Sequence, residues 1–126
     1  SLPIAPHLAS PREAIDVVHL GAADAFNIGP SDWMFVHMAR IAEDAGLPVW
    51  TASNVDLGLF DVYRLHAALA APNCTFGSDI CGNFVHEHSL LTKPLVVDGV
   101  AAAPEGPGLG VELDEEAVAK YTVAAD

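Results

Sequence analysis

The side chains able to do chemistry are few, and most stand alone. Six histidines are present. In His86-Glu87-His88 two imidazoles are separated by one residue, so an extended backbone would point both to one side. No third ligand follows at a metal-site spacing, and the segment reads as a loop. His7, in Ala5-Pro6-His7-Leu8, would suit zinc, but one imidazole makes no zinc site. His19, His37 and His66 fall within helical patterns, on surface or half-buried positions. Asp32 follows Gly29-Pro30-Ser31 and is the one ionisable group there. Proton transfer competes at Asp32 with a simpler role, an acid in the first turn of a helix, where the dipole favours negative charge. Asn54 could hold a ligand and Asp56 could move a proton, but both could equally cap the helix that follows. Cys74 and Cys81 have no second Cys/His pair at zinc spacing. They read as free thiols of a reducing cytoplasm, with a disulfide as the alternative. No G-x-S-x-G elbow, P-loop or complete dinucleotide fingerprint is present, and the glycines of Pro107 to Gly110 lie outside a strand-to-helix turn.

Composition narrows the partners. The 126 residues fit one domain and are 52% hydrophobic, enough for a packed core. Seventeen acids against five bases give a net charge of -12. Arg12, Arg40, Arg64, Lys93 and Lys120 are scattered, whereas phosphate backbones need clustered cations. Nucleic acid and anionic membrane surfaces are therefore excluded as partners. No apolar run approaches the roughly 20 residues of a membrane span, and no signal peptide is visible, so a cytoplasmic location is expected. The internal-looking start Pro3-Ile4-Ala5 suggests that something normally precedes it, with Ser1-Leu2 a cloning remnant.

The elements that must position these residues follow a strand-then-helix cadence. Pro3-Ile4-Ala5 reads as a short buried strand. Ser10-Pro11-Arg12-Glu13 is a helix start, with Ser10 as cap, Pro11 at the first helical position and Glu13 reaching back. Ile15, Val18 and Leu20 give this helix an apolar face, and Gly21 ends it. Asp24 to Ile28 is a second strand. Ser31 can cap a second helix, on which Met34, Phe35, Met38, Ile41, Ala42 and Ala45 recur at helical spacing. Pro48 to Thr51 is a third strand. A third helix runs from near Leu57 to Ala71 with Phe60, Tyr63, Ala67 and Ala70 on one face, and Pro72 stops it. Thr75-Phe76-Gly77 begins a fourth strand, which puts Asp79 just past its end, where barrel sites gather polar groups. Short apolar strands, each followed by a helix, predict parallel pairing. The expected fold is α/β: half of a TIM-type (β/α) barrel, since a complete one needs about 250 residues. Residues 1–90 would form the half-barrel. Residues 91–126 would be a C-terminal extension of the same domain, with a strand and turn at Leu95 to Val100 and a short helix capped by Asp114.

The tail carries a family resemblance. Leu91-Thr92-Lys93-Pro94-Leu95, then Asp98-Gly99, then Pro104 to Asp114 (PEGPGLGVELD) resemble the C-terminal signature of the mandelate racemase/muconate lactonizing branch of the enolase superfamily. Ala42 to Pro48 and Leu65 to Asn73 are similar to the last barrel helices of that branch. Ser53-Asn54, followed by a helix carrying His66, is similar to glucarate-dehydratase-like members. The resemblance implies a capping domain and a (β/α)7β barrel that abstracts a proton alpha to a carboxylate, with Mg²⁺ stabilising the enediolate. On this mapping the chain runs from the fifth barrel strand to beyond the eighth. The resemblance implies a metal ligand at His7, where the family has Asp, Asn or Glu. It implies a catalytic Lys or Asp after the second strand, where Asp32 is the candidate. It implies substrate contacts at Ser53 and Asn54, with Ala52 in place of a dehydratase histidine, and Asp79 joins them as a substrate-binding candidate by its place past the fourth strand. Asp56 is set against a Glu of the lactonizing branch.

Two readings of function follow. One is the C-terminal barrel portion of a Mg²⁺-dependent dehydratase, racemase or cycloisomerase, not competent alone. The other is a non-catalytic half-barrel acting as a binding or oligomeric interaction protein. A small carboxylate or sugar acid is the expected ligand. A homodimer or higher oligomer, or a separate N-terminal half, is the expected partner, because Ile4, Phe26, Ile28, Val49 and Phe76 would line an uncovered inner face.

Overall fold

The structure is a computed structural model that describes residues 2–123. Ser1 and residues 124–126, the end of the expected extension, lie outside the described residues. Three short strands, β1 (His7–Leu8), β2 (Phe26–Ile28) and β3 (Val49–Thr51), form a sheet in the order β1-β2-β3. Both pairings are parallel, as the strand–helix cadence predicts, but the first strand is His7–Leu8 and not Pro3-Ile4-Ala5, whose residues are exposed. The helices α1 (Pro11–Leu20) and α2 (Trp33–Asp44) provide the crossovers, and α3 (Gly58–Leu69) follows β3.

Local chemistry sets the helix ends. Ser10 Oγ accepts from the Glu13 amide, while the Glu13 carboxylate accepts from the Ala9 amide at 2.7 Å, so the reciprocal bond lands one residue before the cap. Gly21 adopts φ 57 and closes α1 on the carbonyls of Val17 and Val18. The cap of α2 is Asp32 rather than Ser31: its carboxylate accepts from the Met34 amide at 2.8 Å. No side chain caps α3, so Asn54 and Asp56 are not its caps.

The core lies between the sheet and the helices. Leu8, Phe26, Ile28 and Val49 pack there against Ala14, Phe35, Met38, Ala39 and Ala42. Phe26, Ile28 and Val49 are fully buried, which corrects the expectation that they line an uncovered face. A strand alternates sides at every residue, so Phe26 and Ile28 face the helices together and Asn27 faces away. On α1, Ala14, Val17 and Val18 turn inward, while Ile15 and Leu20 are exposed. On α3 the buried positions are Gly58, Asp61, Val62, Arg64, Leu65 and Ala68. The expected face of Phe60 and Tyr63 is turned outward, because a charged pair takes the inner one.

The fourth strand is reduced to a single parallel bridge between Val49 and Cys74. The chain meets β3 again where the Asp79 amide donates to the Thr51 carbonyl at 3.0 Å. Five steps from Cys74 to Asp79 accompany two steps from Val49 to Thr51, so the chain bows outward around Gly77 and no ladder forms. A single 3₁₀ turn follows at Gly82–Phe84. The tail forms an antiparallel hairpin, β4 (Val96–Val97) and β5 (Val100–Ala101), turned by Asp98 and Gly99, both at positive φ. Then α4 (Glu115–Tyr121) is capped by Asp114 as expected. An antiparallel bridge between Leu91 and Leu113 ties the tail together. No described helix is long and apolar enough to cross a membrane.

Candidate functional site

The parallel register builds a polar row across the sheet. His7 pairs with Asn27, and Asn27 with Trp50, so three neighbouring strands present these side chains side by side on the face away from the helices. The His7 imidazole Nδ1 and Asn27 Oδ1 are 2.5 Å apart. Asn27 Nδ2 donates to Asp79 Oδ2 at 3.3 Å, and the Trp50 indole N–H donates to the same oxygen at 3.3 Å. Phe76 meets the Trp50 ring edge-on, with centroids 5.7 Å apart. His7 and Asp79 are thus brought into one constellation. Asn27 and Trp50, which join them, are absent from the sequence-based candidates. Their signal is a polar or amphipathic residue between two fully buried neighbours, in Phe26-Asn27-Ile28 and Val49-Trp50-Thr51.

Behind the sheet end lies a second, buried cluster centred on Arg64, which is 1% exposed. Its Nε donates to Asp56 Oδ2 at 2.8 Å. Its Nη1 reaches the carbonyls of Gly29 at 3.1 Å and Ala52 at 2.8 Å, the residues that follow β2 and β3. The guanidinium also lies over the Phe60 ring. Asp56 is therefore the ion-pair partner of a buried arginine. One helical turn before Arg64, burial pushes the Asp61 carboxyl up to about 6, and the charge of Asp56 adds to the effect. The Gly82 amide, Arg64 and His86 act in the opposite direction. Gly82 must be glycine: a Cβ there would run into the Asp56 carbonyl oxygen and stand 2.6 Å from Asp61 Oδ2.

The other candidates are dispersed. Ser53 Oγ accepts from the Val55 amide, and the Asn54 amide donates to Asp56. Val55 between them has φ 60, a costly conformation for a β-branched residue. Asp32 caps α2. His86 Nε2 lies 2.6 Å from the Val55 carbonyl, and His88 Nε2 lies 3.6 Å from Asp114, so these imidazoles serve different neighbours. Cys74 and Cys81 are free thiols, and burial pushes the Cys74 thiol up.

The Mg²⁺ implied by the family resemblance does not fit this donor set. Mg²⁺ asks for about six oxygens in octahedral geometry. The row offers one carboxylate, which already accepts two hydrogen bonds, an amide oxygen turned to His7, and an imidazole. Among the described residues, no three His, Cys, Asp or Glu side chains converge. After β2, where the resemblance implies Lys or Asp, stands Gly29, and a Cβ there would lie 2.8 Å from His7 Nε2.

Parallel strands, covering helices and polar groups at the strands' carboxyl ends define an α/β protein of the kind whose sites lie beyond the strand ends. The chain belongs to the enolase C-terminal domain-like family, whose model matches residues 2–117. It is 32% identical over 118 residues to muconate cycloisomerase 1 of Rhodococcus opacus, covering 90% of this chain and 32% of that protein. It is 31% identical over 128 residues to an N-succinylamino acid racemase of Amycolatopsis sp, covering 94% of this chain and 34% of that one. A solved N-succinyl Arg/Lys racemase from Bacillus cereus superposes with a TM-score of 0.87 at 26% identity, covering 98% of this chain and 35% of that one. The chain therefore spans about a third of the length of these relatives.

Proposed function

We propose that this chain supplies the C-terminal half of a (β/α) barrel in a racemase-, cycloisomerase- or dehydratase-type enzyme that moves a proton alpha to a carboxylate. The observation that carries this reading is the row His7–Asn27–Trp50 on the face of the parallel strands away from the helices, bonded to Asp79, which meets β3 at its carboxyl-terminal residue Thr51. Barrel enzymes gather their working groups at that end. Residues up to about 90 would form the barrel units, and the tail beyond would be an extension of the same domain. The remaining strands would come from a preceding segment or a separate N-terminal half. Metal-binding acids would have to come from there too, because this chain's residues do not fit Mg²⁺. Its own groups would bind and orient a small carboxylate or sugar acid and exchange its proton.

A second reading, a non-catalytic half-barrel that binds a small acid or a second copy of itself, is favoured by His7 in place of a ligand carboxylate and by Ala52 in place of a histidine. One assay separates them. N-succinylamino acids and muconate, the compounds in the relatives' names, are incubated in D₂O with the chain alone and with a polypeptide that also carries the missing barrel strands. Loss of the α-proton signal, or lactone formation, is expected with the completed polypeptide and not with the chain alone. Binding without exchange in both would leave the second reading standing.

A further inference from the structure

We propose that His7 is the proton-accepting group of this site, that Asn27 and Asp79 position it, and that its ligand is a small carbon acid. The base role rests on the barrel-enzyme reading above, while the positioning rests on hydrogen-bond logic alone. The Asp79 carboxylate can only accept, so the Asn27 group facing it must be the NH₂ donor. That orientation turns Asn27 Oδ1 toward His7. An amide oxygen can only accept as well, so Nδ1 of the imidazole must carry the proton. In the neutral ring the lone pair is then left on Nε2. The indole N–H of Trp50 holds the same oxygen of Asp79 from the other side, which keeps the carboxylate at the end of the row. Orientation thus passes from Asp79 through Asn27 of β2 to His7 of β1, two strands in fixed register.

Nε2 has no hydrogen-bond partner among the described residues, and His7 is exposed. Gly29 leaves room for it, since a Cβ at position 29 would stand 2.8 Å from Nε2, 3.2 Å from Cε1 and 3.3 Å from the Leu8 carbonyl oxygen. The result is a basic nitrogen beside Gly29 on the face of the sheet away from the helices. In the proton-transfer step the C–H bond of the ligand breaks and an N–H bond forms at Nε2. The electron pair stays on the ligand, spread into its neighbouring carboxylate. The ring becomes an imidazolium whose Nδ1–H bond to Asn27 is then charge-assisted, and Asp79 stands one side chain beyond to balance the charge.

Two measurements test this. Long-range ¹H–¹⁵N spectra of the chain, recorded above the titration of its histidines and assigned with His7→Gln, report the tautomer directly. The expected wild-type signature is a protonated Nδ1 and a lone-pair Nε2, the reverse of the form free imidazole side chains prefer. Asp79→Ala and Asn27→Leu should each shift His7 toward the Nε2–H form, and the exposed Asp79 position covers the case in which the strand variant folds poorly. In the completed polypeptide of the exchange assay, His7→Gln should lower kcat at least about 100-fold with little change in KM. A wild-type His7 protonated at Nε2, no tautomer change in either variant, or undiminished exchange by His7→Gln overturns the proposal. Absence of exchange in the wild type despite the expected tautomer refutes the barrel-enzyme reading, and the base role falls with it.

Discussion

Replacing Asp61 by asparagine should stabilise the protein at neutral pH, because Asp61 is an acid that the fold holds against its preference for ionisation. The side chain is 3% exposed on the inner face of α3. Its Oδ1 has no hydrogen-bond partner among the described residues. Burial is the main cause of its raised pKa, the Asp56 charge is second, and Arg64 compensates only in part. The ordinary value of 3.8 rises to about 6 in the folded state. Below pH 3.8 the group is protonated whether the chain is folded or not, and it contributes no pH dependence. Between 3.8 and about 6 the unfolded chain ionises while the folded one holds its proton, so the folded state binds more protons and stability falls as pH rises. Above about 6 the loss is complete and levels off.

Each tenfold difference in proton affinity is worth about 1.36 kcal/mol, so the full loss is about 3 kcal/mol, of which about 2 kcal/mol falls between about pH 4.5 and 7.5. The substituted amide cannot ionise, and its oxygen can still accept from the Gly82 amide. Urea unfolding of wild type and Asp61→Asn at both pH values isolates the effect, because every other titrating group is common to the two proteins. The stability of the variant relative to wild type should grow by about 2 kcal/mol from about pH 4.5 to 7.5. A difference that does not change with pH, or that shrinks, would refute the argument that Asp61 is buried at an energetic cost.

Three further perturbations probe the same region. Arg64→Met should destabilise the chain by about 3 kcal/mol in urea unfolding, since it strands the Asp56 carboxylate and the Gly29 and Ala52 carbonyls together. Gly82→Ala should cost about 1–3 kcal/mol and speed hydrogen exchange at the 3₁₀ turn, because the added methyl has backbone rather than a movable side chain in its way. Calorimetric titration of the chain with Mg²⁺ should show no stoichiometric binding at micromolar concentration, and a clear one-to-one isotherm would contradict the donor-set argument.

What the sequence makes legible here are the features coded by single residues. Ser10, Gly21 and Asp114 announce helix ends because capping is a local bond between a side chain and the next turn. The runs Asp24–Ile28 and Pro48–Thr51 announce strands because they are apolar and bracketed by turn residues. Strands this short give a single alternation, so Phe26-Asn27-Ile28 separates Asn27 from its two neighbours but does not say which side meets the helices. The outer helices decide, through the buried side chains of Phe35, Met38 and Ala42. The face of α3 is illegible for a different reason. Counting apolar residues turns Phe60 and Tyr63 inward, and no local rule places Arg64 in a core. Its burial is explained only by acceptors distant in sequence, the Gly29 and Ala52 carbonyls, 35 and 12 residues away.

Those two carbonyls sit where β2 and β3 end. At such a point the strands diverge, and each terminal carbonyl needs a partner that the ladder no longer supplies. A guanidinium is suited to this because its planar donors can serve several acceptors at once, which an ammonium on a flexible stem does less well. Arg64 therefore joins the ends of two neighbouring strands from behind, while His7, Asn27 and Trp50 stand on the front of the same sheet. The spacing of that front row depends on how far β2 and β3 splay, and a guanidinium bonded to both strand ends would limit that splay. By this reasoning the tautomer of His7 should respond to Arg64→Lys, although Arg64 touches none of the three. One ammonium cannot hold both carbonyls and Asp56, so β2 and β3 should separate and the hydrogen bond from Asn27 to Asp79, already 3.3 Å long, should weaken first. Long-range ¹H–¹⁵N spectra of Arg64→Lys should show His7 drifting toward the Nε2–H form while the chain stays folded. An unchanged His7 in that folded variant would mean that the row is held by its own register and that Arg64 serves stability alone.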